Sequence, residues 1–449
     1  MRRFALVFLF IPLFSCNIQN QTPDLPDKPN IIFISADDLG YGDLSCYGGE
    51  GILTPELDKL AASGVRLSNY YVNCPVCSPS RASWLTGKYP DKAGVPGVVR
   101  PLESMNFGYL DPATTLLPAL LKEEGYQTAL IGKWHLGLES PNLPNDRGFD
   151  YSKSWLSGMT DYYTHIQHGK NFLRENNKEF KEEGHLTELI TQWAIEYIDN
   201  YKKSDGPLYL YLAYTAPHDP IQPPEEWLEK VRERESGMNE KRVKIVALIE
   251  HLDFNIGRVL EKVKSRFGMD NTMVVFTSDN GGNLRFNASN GELRGGKQDM
   301  YEGGIKVPCF VYWPGNVVNA NVSDELIVGM DWFTTICNYA GVSNIPEVDG
   351  IDISPVFNKG GHLPARTLFW VRREGWKYGG MAYYAARYRN YKLVYNSPFE
   401  PMQFFDLGQD PKEQYPLKEG DNPEFKKLKS ALVKHIQEAG GVPWQKRGD

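Results

Sequence analysis

The sequence predicts an α/β fold: a large mixed, mostly parallel sheet sandwiched by helices, followed by a smaller C-terminal α+β domain. Apolar runs of strand length alternate with helical patterns, which is typical of parallel strands covered by helices. Hydrophobic residues form 41% and charged residues 23% of the 449-residue chain, so a large core can form. After about residue 355 the pattern changes to aromatic and basic stretches with a period of two, which indicates a separate small sheet.

The individual elements follow from local signals. Apolar runs predict strands over residues 31–35, 128–132, 208–215, 273–278 and 307–313. Helical patterns predict helices over residues 55–63, 239–267 and 423–438. For the first of these helices, Thr54 suits the N-cap, Pro55 the first turn and Gly64 the end.

The first residues have the pattern of an export signal. Arg2 and Arg3 precede an apolar run that is shorter than the ~20 residues needed to span a bilayer. The run leads into Leu-Phe-Ser-Cys, ending at Cys16, which resembles the lipobox of bacterial lipoproteins, and a proline-rich stretch follows. We therefore expect an exported protein, lipid-anchored in the periplasm or at the surface of a bacterium. The predicted division is a signal peptide over 1–16, a tether over 17–29, a catalytic domain over 30–355 and a small C-terminal subdomain over 356–449.

Charge and cysteine content exclude some functions. The chain has 49 Lys and Arg against 56 Asp and Glu, a net charge of −7, which argues against a nucleic-acid partner. Six cysteines in this length are too few for a disulfide scaffold. These counts leave a globular enzyme or a binding protein.

Polar clusters follow four of the predicted strands. A pair of this kind can be a simple turn, but ligands of open α/β sheets gather beyond the carboxyl ends of strands, so four such clusters predict a site. The clusters contain Asp37 and Asp38, Lys133 and His135, His218, and Asp279 and Asn280. The carboxylate and amide oxygens among them suit Ca²⁺ or Mg²⁺ better than zinc.

A C-x-x-C pair stands at Cys74 and Cys77. In isolation it indicates a redox dithiol or half of a zinc site, but no second such pair or close histidine pair completes a tetrahedral set. The residues after Cys77 predict a helix with Ser78 as N-cap, Pro79 in the first turn and its end near Gly87. Cys77 would then lie beside unpaired backbone N–H groups, which favour an anion.

Residues 77–87 resemble the C-x-P-S-R-x-x-x-L-T-G signature of the type I sulfatases of the alkaline phosphatase superfamily. In that family a formylglycine-generating enzyme oxidises the cysteine to formylglycine, whose hydrated aldehyde is the nucleophile. The resemblance therefore implies that Cys77 is the nucleophile precursor, that Arg81 holds it, and that the fold is alkaline phosphatase-like.

The resemblance continues in the other polar clusters. It implies one Ca²⁺ held by Asp37, Asp38, Asp279, Asn280 and the Cys77 side chain. It also implies that Lys133 and Lys297 bind sulfate, that His218 protonates the leaving alcohol, and that His135 removes a proton from the sulfated diol to expel sulfate.

The resemblance does not identify the alcohol part of the sulfate ester. Aromatic and basic side chains suit acidic sugars, although they equally suit packing between the domains. The residues of this kind are Trp155, Asp161, Tyr162, Tyr163, His165, Trp370, Arg372, Arg373, Trp376 and Tyr378, with His168 as a further candidate. With the export signal, they favour O-sulfate groups on sulfated poly- or oligosaccharides as the substrate. The alternatives are a phosphonate or phosphate ester hydrolase of the same superfamily and a non-catalytic glycan-binding lipoprotein.

Overall fold

The computed structural model describes residues 28–102, 105–318, 321–358, 360–374, 381–418 and 422–445. The predicted signal peptide with Cys16 and most of the predicted tether lie outside the described residues, as do Trp376 and Tyr378. Among the helices that are described, none combines the length and the apolar character needed to cross a membrane.

The strands and helices alternate along most of the chain. The strands are β1 (Asn30–Ala36), β2 (Val65–Leu67), β3 (Tyr70–Tyr71), β4 (Gln127–Lys133), β5 (Tyr151–Trp155), β6 (Ile166–Gln167), β7 (Lys170–Asn171), β8 (Leu173–Glu175), β9 (Lys178–Glu179), β10 (Leu208–Ala213), β11 (Thr272–Ser278), β12 (Cys309–Tyr312), β13 (Asn321–Ser323), β14 (Ile327–Val328), β15 (Thr367–Glu374), β16 (Met381–Tyr388), β17 (Tyr391–Tyr395) and β18 (Gln403–Asp406). The helices are α1 (Pro55–Ser63), α2 (Cys77–Thr86), α3 (Leu117–Glu123), α4 (Leu186–Asn200), α5 (Glu225–Arg234), α6 (Glu240–Phe267), α7 (Glu302–Ile305), α8 (Asp331–Ala340) and α9 (Pro423–Ala439).

A ten-stranded sheet with the order β13-β2-β12-β11-β1-β10-β4-β5-β8-β9 forms the centre of the large domain. Strands β11, β1, β10, β4 and β5 run parallel, whereas β12 and β8 join this set antiparallel. The register is continuous across the middle, since Ile34 lies opposite Leu212 on one side and Phe276 on the other. The mixed, mostly parallel sheet predicted from the sequence is confirmed.

Helices cover the sheet. Phe33 of β1 packs against Trp84 of α2 and Trp332 of α8, so its neighbours Ile32 and Ile34 point to the opposite face. These strand residues are all buried, as expected for a sheet covered on both faces. Helix α6 contacts α1, α4 and α5, whereas α8 contacts α2 and α3.

The C-terminal part forms a second, four-stranded antiparallel sheet with the order β15-β16-β17-β18. Helix α9 packs on this sheet through Phe425, Leu428 and Leu432, which form a small separate core with Phe404. The sheet is joined to the large domain by Trp370, whose indole N–H donates to the Val72 carbonyl at 2.7 Å. The predicted small C-terminal α+β unit is therefore present.

A buried ion cluster also lies between the two sheets. Lys392 of β17 places its Nζ 2.8 Å from Glu302 Oε1 and 2.9 Å from Glu413 Oε1. The guanidinium of Arg387 lies 3.7 Å from Glu302 Oε2. We refer to these four residues as the interface ion cluster.

Most predicted elements have the expected bounds. Helix α1 is the one predicted, and Asn239 caps α6 by accepting a hydrogen bond from the backbone N–H of Lys241 at 2.9 Å. Strand β12 is shorter than predicted and antiparallel to β11. Alternation of apolar residues carries no information on strand direction, so the direction of β12 could not be predicted from it.

Candidate active site

Parallel strands bring the predicted polar clusters to one edge of the large sheet. Asp37 follows β1, Lys133 ends β4, His218 follows β10 and Asp279 follows β11. Two backbone bonds hold these ends together, from the Asp37 N–H to the Ala216 carbonyl at 3.1 Å and from the Asp279 N–H to the Ala36 carbonyl at 3.2 Å. The strand ends therefore converge as the sequence predicts.

Three buried carboxylates, Asp37, Asp38 and Asp279, form the acidic part of the site, and we call them the site acids. One ligand atom each of Asp37, Cys77 and Asp279 lies within 4.8 Å of the other two. Asp37 Oδ1 and Asn280 Oδ1 are buried and accept no hydrogen bond from the described residues. Buried oxygens normally have a partner, so this set of oxygens fits a hard divalent cation.

Each site acid is paired with a different basic side chain. The pairs are Arg81 with Asp279 at 2.8 Å, Lys133 with Asp37 at 2.5 Å and Lys297 with Asp38 at 2.7 Å. Burial and the neighbouring Asp279 carboxylate raise the pKa of Asp37 well above its ordinary value, although Lys133 opposes this shift. Burial opposes ionisation of Asp38 too, but Lys297, His218 and Asn280 together outweigh it and lower the pKa of Asp38 to about 2.

Helix α2 positions the cysteine. The prediction that Ser78 caps a helix beginning at Pro79 is wrong, because α2 already includes Cys77 and its N-cap residue is Val76. The C-terminal end of α2 is as predicted, with Gly87 in the left-handed region at φ 68°. Cys77 is 3% exposed, and burial raises the pKa of its thiol despite nearby Lys133 and Lys297.

His135 is held with one ring nitrogen free. Its backbone has φ 59°, and its Nε2 lies 2.9 Å from the Val99 carbonyl, so Nε2 carries the hydrogen and Nδ1 is an acceptor. Nδ1 is buried and has no hydrogen-bond partner among the described residues. A Cβ on Gly158 would lie 2.5 Å from the ring, so Gly158 makes room for it. Burial and Lys133 lower the pKa of His135 well below its ordinary value.

The backbone of Val99 connects His135 to helix α2. Its carbonyl accepts from His135, and its N–H donates to Ser78 Oγ at 3.1 Å. Ser78 therefore holds the chain at Val99 against the helix that carries Cys77, instead of capping that helix.

His218 and Lys297 form a hydrogen-bonded pair. The Nδ1 of His218 donates to the Asp219 carbonyl at 2.7 Å, so its Nε2 accepts from the Lys297 ammonium at 3.0 Å. Burial and Lys297 lower the pKa of His218 to about 4, and the ring is neutral near pH 7. Tyr162 donates its hydroxyl to the His218 carbonyl at 3.1 Å, which fixes the backbone of this segment.

A cavity of about 410 Å³ opens at the site, and Cys77, His135, His218 and Lys297 line it. The other polar side chains that line it are Arg100, Ser157, Gln167, His168, Asp219, Asn283, Arg285 and Gln298.

The substrate residues suggested by aromatic and basic composition do not line this cavity. Trp155, Asp161, Tyr162, Tyr163, His165, Trp370, Arg372 and Arg373 all lie elsewhere in the described part of the chain. Trp155 and Trp370 are fully buried in the core, because large aromatic rings fill cores as readily as they bind sugars. His168 does line the cavity. Sequence reasoning missed Gln167 and Arg285, although Arg285 follows the Asp279-Asn280-Gly281-Gly282 motif closely.

Comparison with known proteins identifies the family. Residues 29–342, more than half of the chain, match the family described as Sulfatase. The chain belongs to the sulfatase family. It is therefore a sulfuric ester hydrolase with the alkaline phosphatase-like fold of the type I sulfatases. Residues 295–440 of this sulfatase also match the family described as N-sulphoglucosamine sulphohydrolase, C-terminal.

Similar proteins cover most of this sulfatase. It is 30% identical to human N-acetylgalactosamine-6-sulfatase over 467 residues, which covers 92% of this chain and 86% of the human protein. It is 37% identical to mouse arylsulfatase J over 350 residues, 75% of this chain but only 57% of the mouse protein. Its fold matches the crystal structure of Ps i-CgsB in complex with k-i-k-neocarrahexaose, with a TM-score of 0.83, 30% identity and coverage of 93% and 94% of the two chains.

Proposed function

We propose that this sulfatase hydrolyses O-sulfate groups of sulfated oligo- or polysaccharides, using a formylglycine made from Cys77 and one bound Ca²⁺. The observation that carries the proposal is the position of Cys77 on an open cavity beside the site acids, where buried acceptor oxygens lack partners. A saccharide substrate is supported by the structural likeness to a protein crystallised with k-i-k-neocarrahexaose and by the relation to N-acetylgalactosamine-6-sulfatase.

The site acids, Asn280 and the side chain of Cys77 would hold the cation. When bound, Ca²⁺ polarises a sulfate oxygen and favours ionisation of the nucleophile. The pairs with Arg81, Lys133 and Lys297 hold the carboxylates in place, because buried carboxylates without positive partners would repel one another.

The environment of Cys77 supports its conversion. An unmodified cysteine with a raised pKa is a protonated thiol near pH 7, which is a poor nucleophile. Formylglycine supplies a hydrated aldehyde in place of the thiol. A formylglycine-generating enzyme is therefore a required partner of this chain.

The remaining side chains bind the ester and move protons. Lys133 and Lys297 would neutralise charge on the sulfate oxygens. His218 and Lys297 share a hydrogen bond at 3.0 Å, and this pair would deliver the proton that the leaving oxygen needs. His135 presents its free Nδ1 as a base for the hydroxyl of the nucleophile.

Sulfate release tests the proposal. The protein, produced together with a formylglycine-generating enzyme, is offered a panel of defined sulfated oligosaccharides, and free sulfate is measured by ion chromatography. We expect release from at least one saccharide and none from Cys77→Ala. Equal release by both proteins would contradict the role of Cys77, and so would mass spectrometry that finds unmodified cysteine in fully active protein. Matched phosphate esters test the alternative of a phosphate or phosphonate hydrolase, which would turn them over faster.

We further propose that the protein is exported and lipid-anchored through Cys16. The support is the sequence pattern of residues 1–16. Membrane fractions of cells that make the native protein or Cys16→Ala test this proposal. The native protein should sediment with membranes and the variant should be released, whereas equal membrane association would reject the anchor.

A further inference from the structure

We propose that Arg285 and Gln167 form a second recognition site in the same cavity, for an oligosaccharide that carries another acidic group besides the reacting sulfate. This inference rests on the proposed saccharide sulfatase function and names the substrate class more narrowly. Arg285 would bind the second sulfate or a carboxylate, and Gln167 would accept a hydrogen bond from a sugar hydroxyl.

Gln167 is placed by a tight hairpin. Strands β6 and β7 pair Gln167 with Lys170, and His168 and Gly169 between them have φ 50° and φ 74°. Two successive left-handed residues are typical of a type I′ turn, which holds the tip in a defined position. Gln167 is only 9% exposed and lines the cavity, and its Oε1 has no hydrogen-bond partner among the described residues.

An unpartnered, buried amide oxygen is unfavourable in the protein alone. The side chain of Gln167 lines a cavity of about 410 Å³, although its Oε1 is itself buried, and sugar hydroxyl groups are hydrogen-bond donors. A small rotation of the amide would bring Oε1 to a bound sugar. A bound saccharide would therefore supply the missing hydrogen bond.

Arg285 differs from the other cations that line the cavity. Lys297 is paired with Asp38 at 2.7 Å, and Arg100 with Glu374 at 2.6 Å. Arg285 is exposed, and its guanidinium has no hydrogen-bond or ion-pair partner in the described part of the chain. Its backbone is nevertheless fixed, because the Arg285 N–H donates to Asn283 Oδ1 at 3.2 Å in a short 3₁₀ turn.

A free guanidinium in a substrate cavity selects for an anion, since its planar fork can bind two oxygens of a sulfate or carboxylate. The reacting sulfate is assigned to Cys77 and Lys297, which both line the cavity. The guanidinium of Arg285 is thus available for a different group of the same molecule. A sugar with two acidic substituents meets both requirements.

Three disaccharides that share the same reacting sulfate test the inference. In one the second position is neutral, in another it carries a second sulfate, and in the third a uronic carboxylate. The readout is the ratio of kcat/KM between each acidic disaccharide and the neutral one. We expect native protein to prefer an acidic disaccharide by about 10- to 100-fold, the range for a hydrogen bond to a charged group. The acidic disaccharide that is preferred identifies the second group as sulfate or carboxylate.

Arg285→Gln should reduce this ratio to about 1, and Arg285→Lys should keep part of it. Arg232→Gln is the matched control, because Arg232 is an exposed arginine on α5, paired with Glu225 and Glu240 away from the cavity. It should leave the ratio unchanged. Gln167→Leu should lower kcat/KM about 10-fold for all three disaccharides with no change in the ratio. A native ratio near 1, or a ratio that survives Arg285→Gln, would overturn the inference.

Failure of the proposed function gives a different result. In that case native protein releases no sulfate from any disaccharide. Binding of the three disaccharides to Cys77→Ala, measured by calorimetry, then still tests Arg285. Tighter binding of an acidic disaccharide that is lost in Cys77→Ala/Arg285→Gln supports the second site, and equal binding of all three disaccharides rejects it.

Discussion

Two buried clusters of charge in this protein have equal numbers of acids and bases but differ in how completely their oxygens are bonded. In the interface ion cluster, Glu302 and Glu413 face Lys392 and Arg387. Three of the four carboxylate oxygens there accept a hydrogen bond, from Tyr71, Lys392 and the Glu302 N–H, and the fourth, Glu413 Oε1, lies 2.9 Å from the Lys392 ammonium without a hydrogen bond. At the site, three acids face three bases, yet Asp37 Oδ1 and Asn280 Oδ1 accept no hydrogen bond from the described residues.

The comparison shows that a balanced charge count does not distinguish a structural cluster from a functional one. What differs is that the interface oxygen without a hydrogen bond still has an ammonium 2.9 Å away, and that the site cluster lies beside a cavity. The interface ion cluster joins two sheets and should act on stability, whereas the site cluster should act on turnover and cation binding.

Replacement of a site acid should give the largest effect. Asp37→Asn should lower sulfate release by about 1000-fold or more, because loss of the cation removes several kcal/mol of charge stabilisation in the transition state. Added Ca²⁺ should raise the Tm of native protein, since a ligand that binds only the folded state stabilises it. The shift should disappear in Asp37→Asn, as measured by thermal scanning after chelator treatment. An unchanged Ca²⁺ shift in the variant would exclude Asp37 as a ligand.

The matching change at the interface should act on stability instead. Glu302→Gln removes one partner of a buried pair, so we expect a loss of about 3–5 kcal/mol in the free energy of unfolding. The variant should keep kcat/KM and the Ca²⁺ shift within about twofold of native protein, because Glu302 lies outside the site. Urea unfolding and sulfate release measure the two quantities. A large loss of turnover with unchanged stability would remove the distinction between the clusters.

A smaller change tests the position of His135 without altering any proposed reacting group. A Cβ at Gly158 would lie 2.5 Å from the His135 ring, so Gly158→Ala should displace the ring and lower turnover about 10- to 100-fold. Gly125→Ala is a poor control because of its positive φ, whereas Gly237→Ala is suitable, since nothing lies within 4 Å of its added Cβ. Full activity in Gly158→Ala would show that His135 needs no fixed position.

The smallest effect concerns a histidine whose ring nitrogens are both bonded. His185 places Nε2 2.9 Å from the Gln222 carbonyl, and its Nδ1 accepts from the Thr187 N–H at 3.3 Å. Burial lowers the pKa of His185 to about 4. The unfolded chain therefore takes up a proton below about pH 6.5 that the folded protein does not, and stability falls as the pH drops toward 4.

Replacement of His185 isolates this contribution. His185→Asn keeps a side chain that can cap α4, so the decrease in unfolding free energy between pH 7 and pH 5 should be smaller by about 1–2 kcal/mol. Urea unfolding at both pH values measures it. A variant with the same pH dependence as native protein would assign the effect to other groups.

The sequence predicted the sheet edge well and the cavity poorly. Asp37, Lys133, His218 and Asp279 follow strands, and the geometry of parallel strands places such residues together whatever their spacing. The pairing of acids with bases was not predictable. Lys297 and Asp38, for example, are 259 residues apart, and their contact depends on the conformation of the loop that carries Lys297.

The substrate side chains show a different limit. Trp155 and Trp370 are of a residue type that is common in sugar sites, but both are buried in the core. Residue type could not show this, because burial of a ring depends on the whole fold. Gln167 is a single amide in a two-residue strand, and only its unpartnered oxygen in the folded protein distinguishes it.

The backbone of Val99 limits how the pocket of this enzyme can be redesigned. Arg100, Pro101, Leu102 and Met105 line the cavity and could be exchanged to change the accepted sugar. The residue at position 99 must still have a backbone N–H, because Ser78 accepts from the N–H of that residue and His135 bonds to its carbonyl. Proline at position 99 would keep the contact to His135 but lose the one to the helix of Cys77. Loop exchange should therefore succeed when the junction is placed after Val99, and a junction before it should fail when it puts proline at position 99.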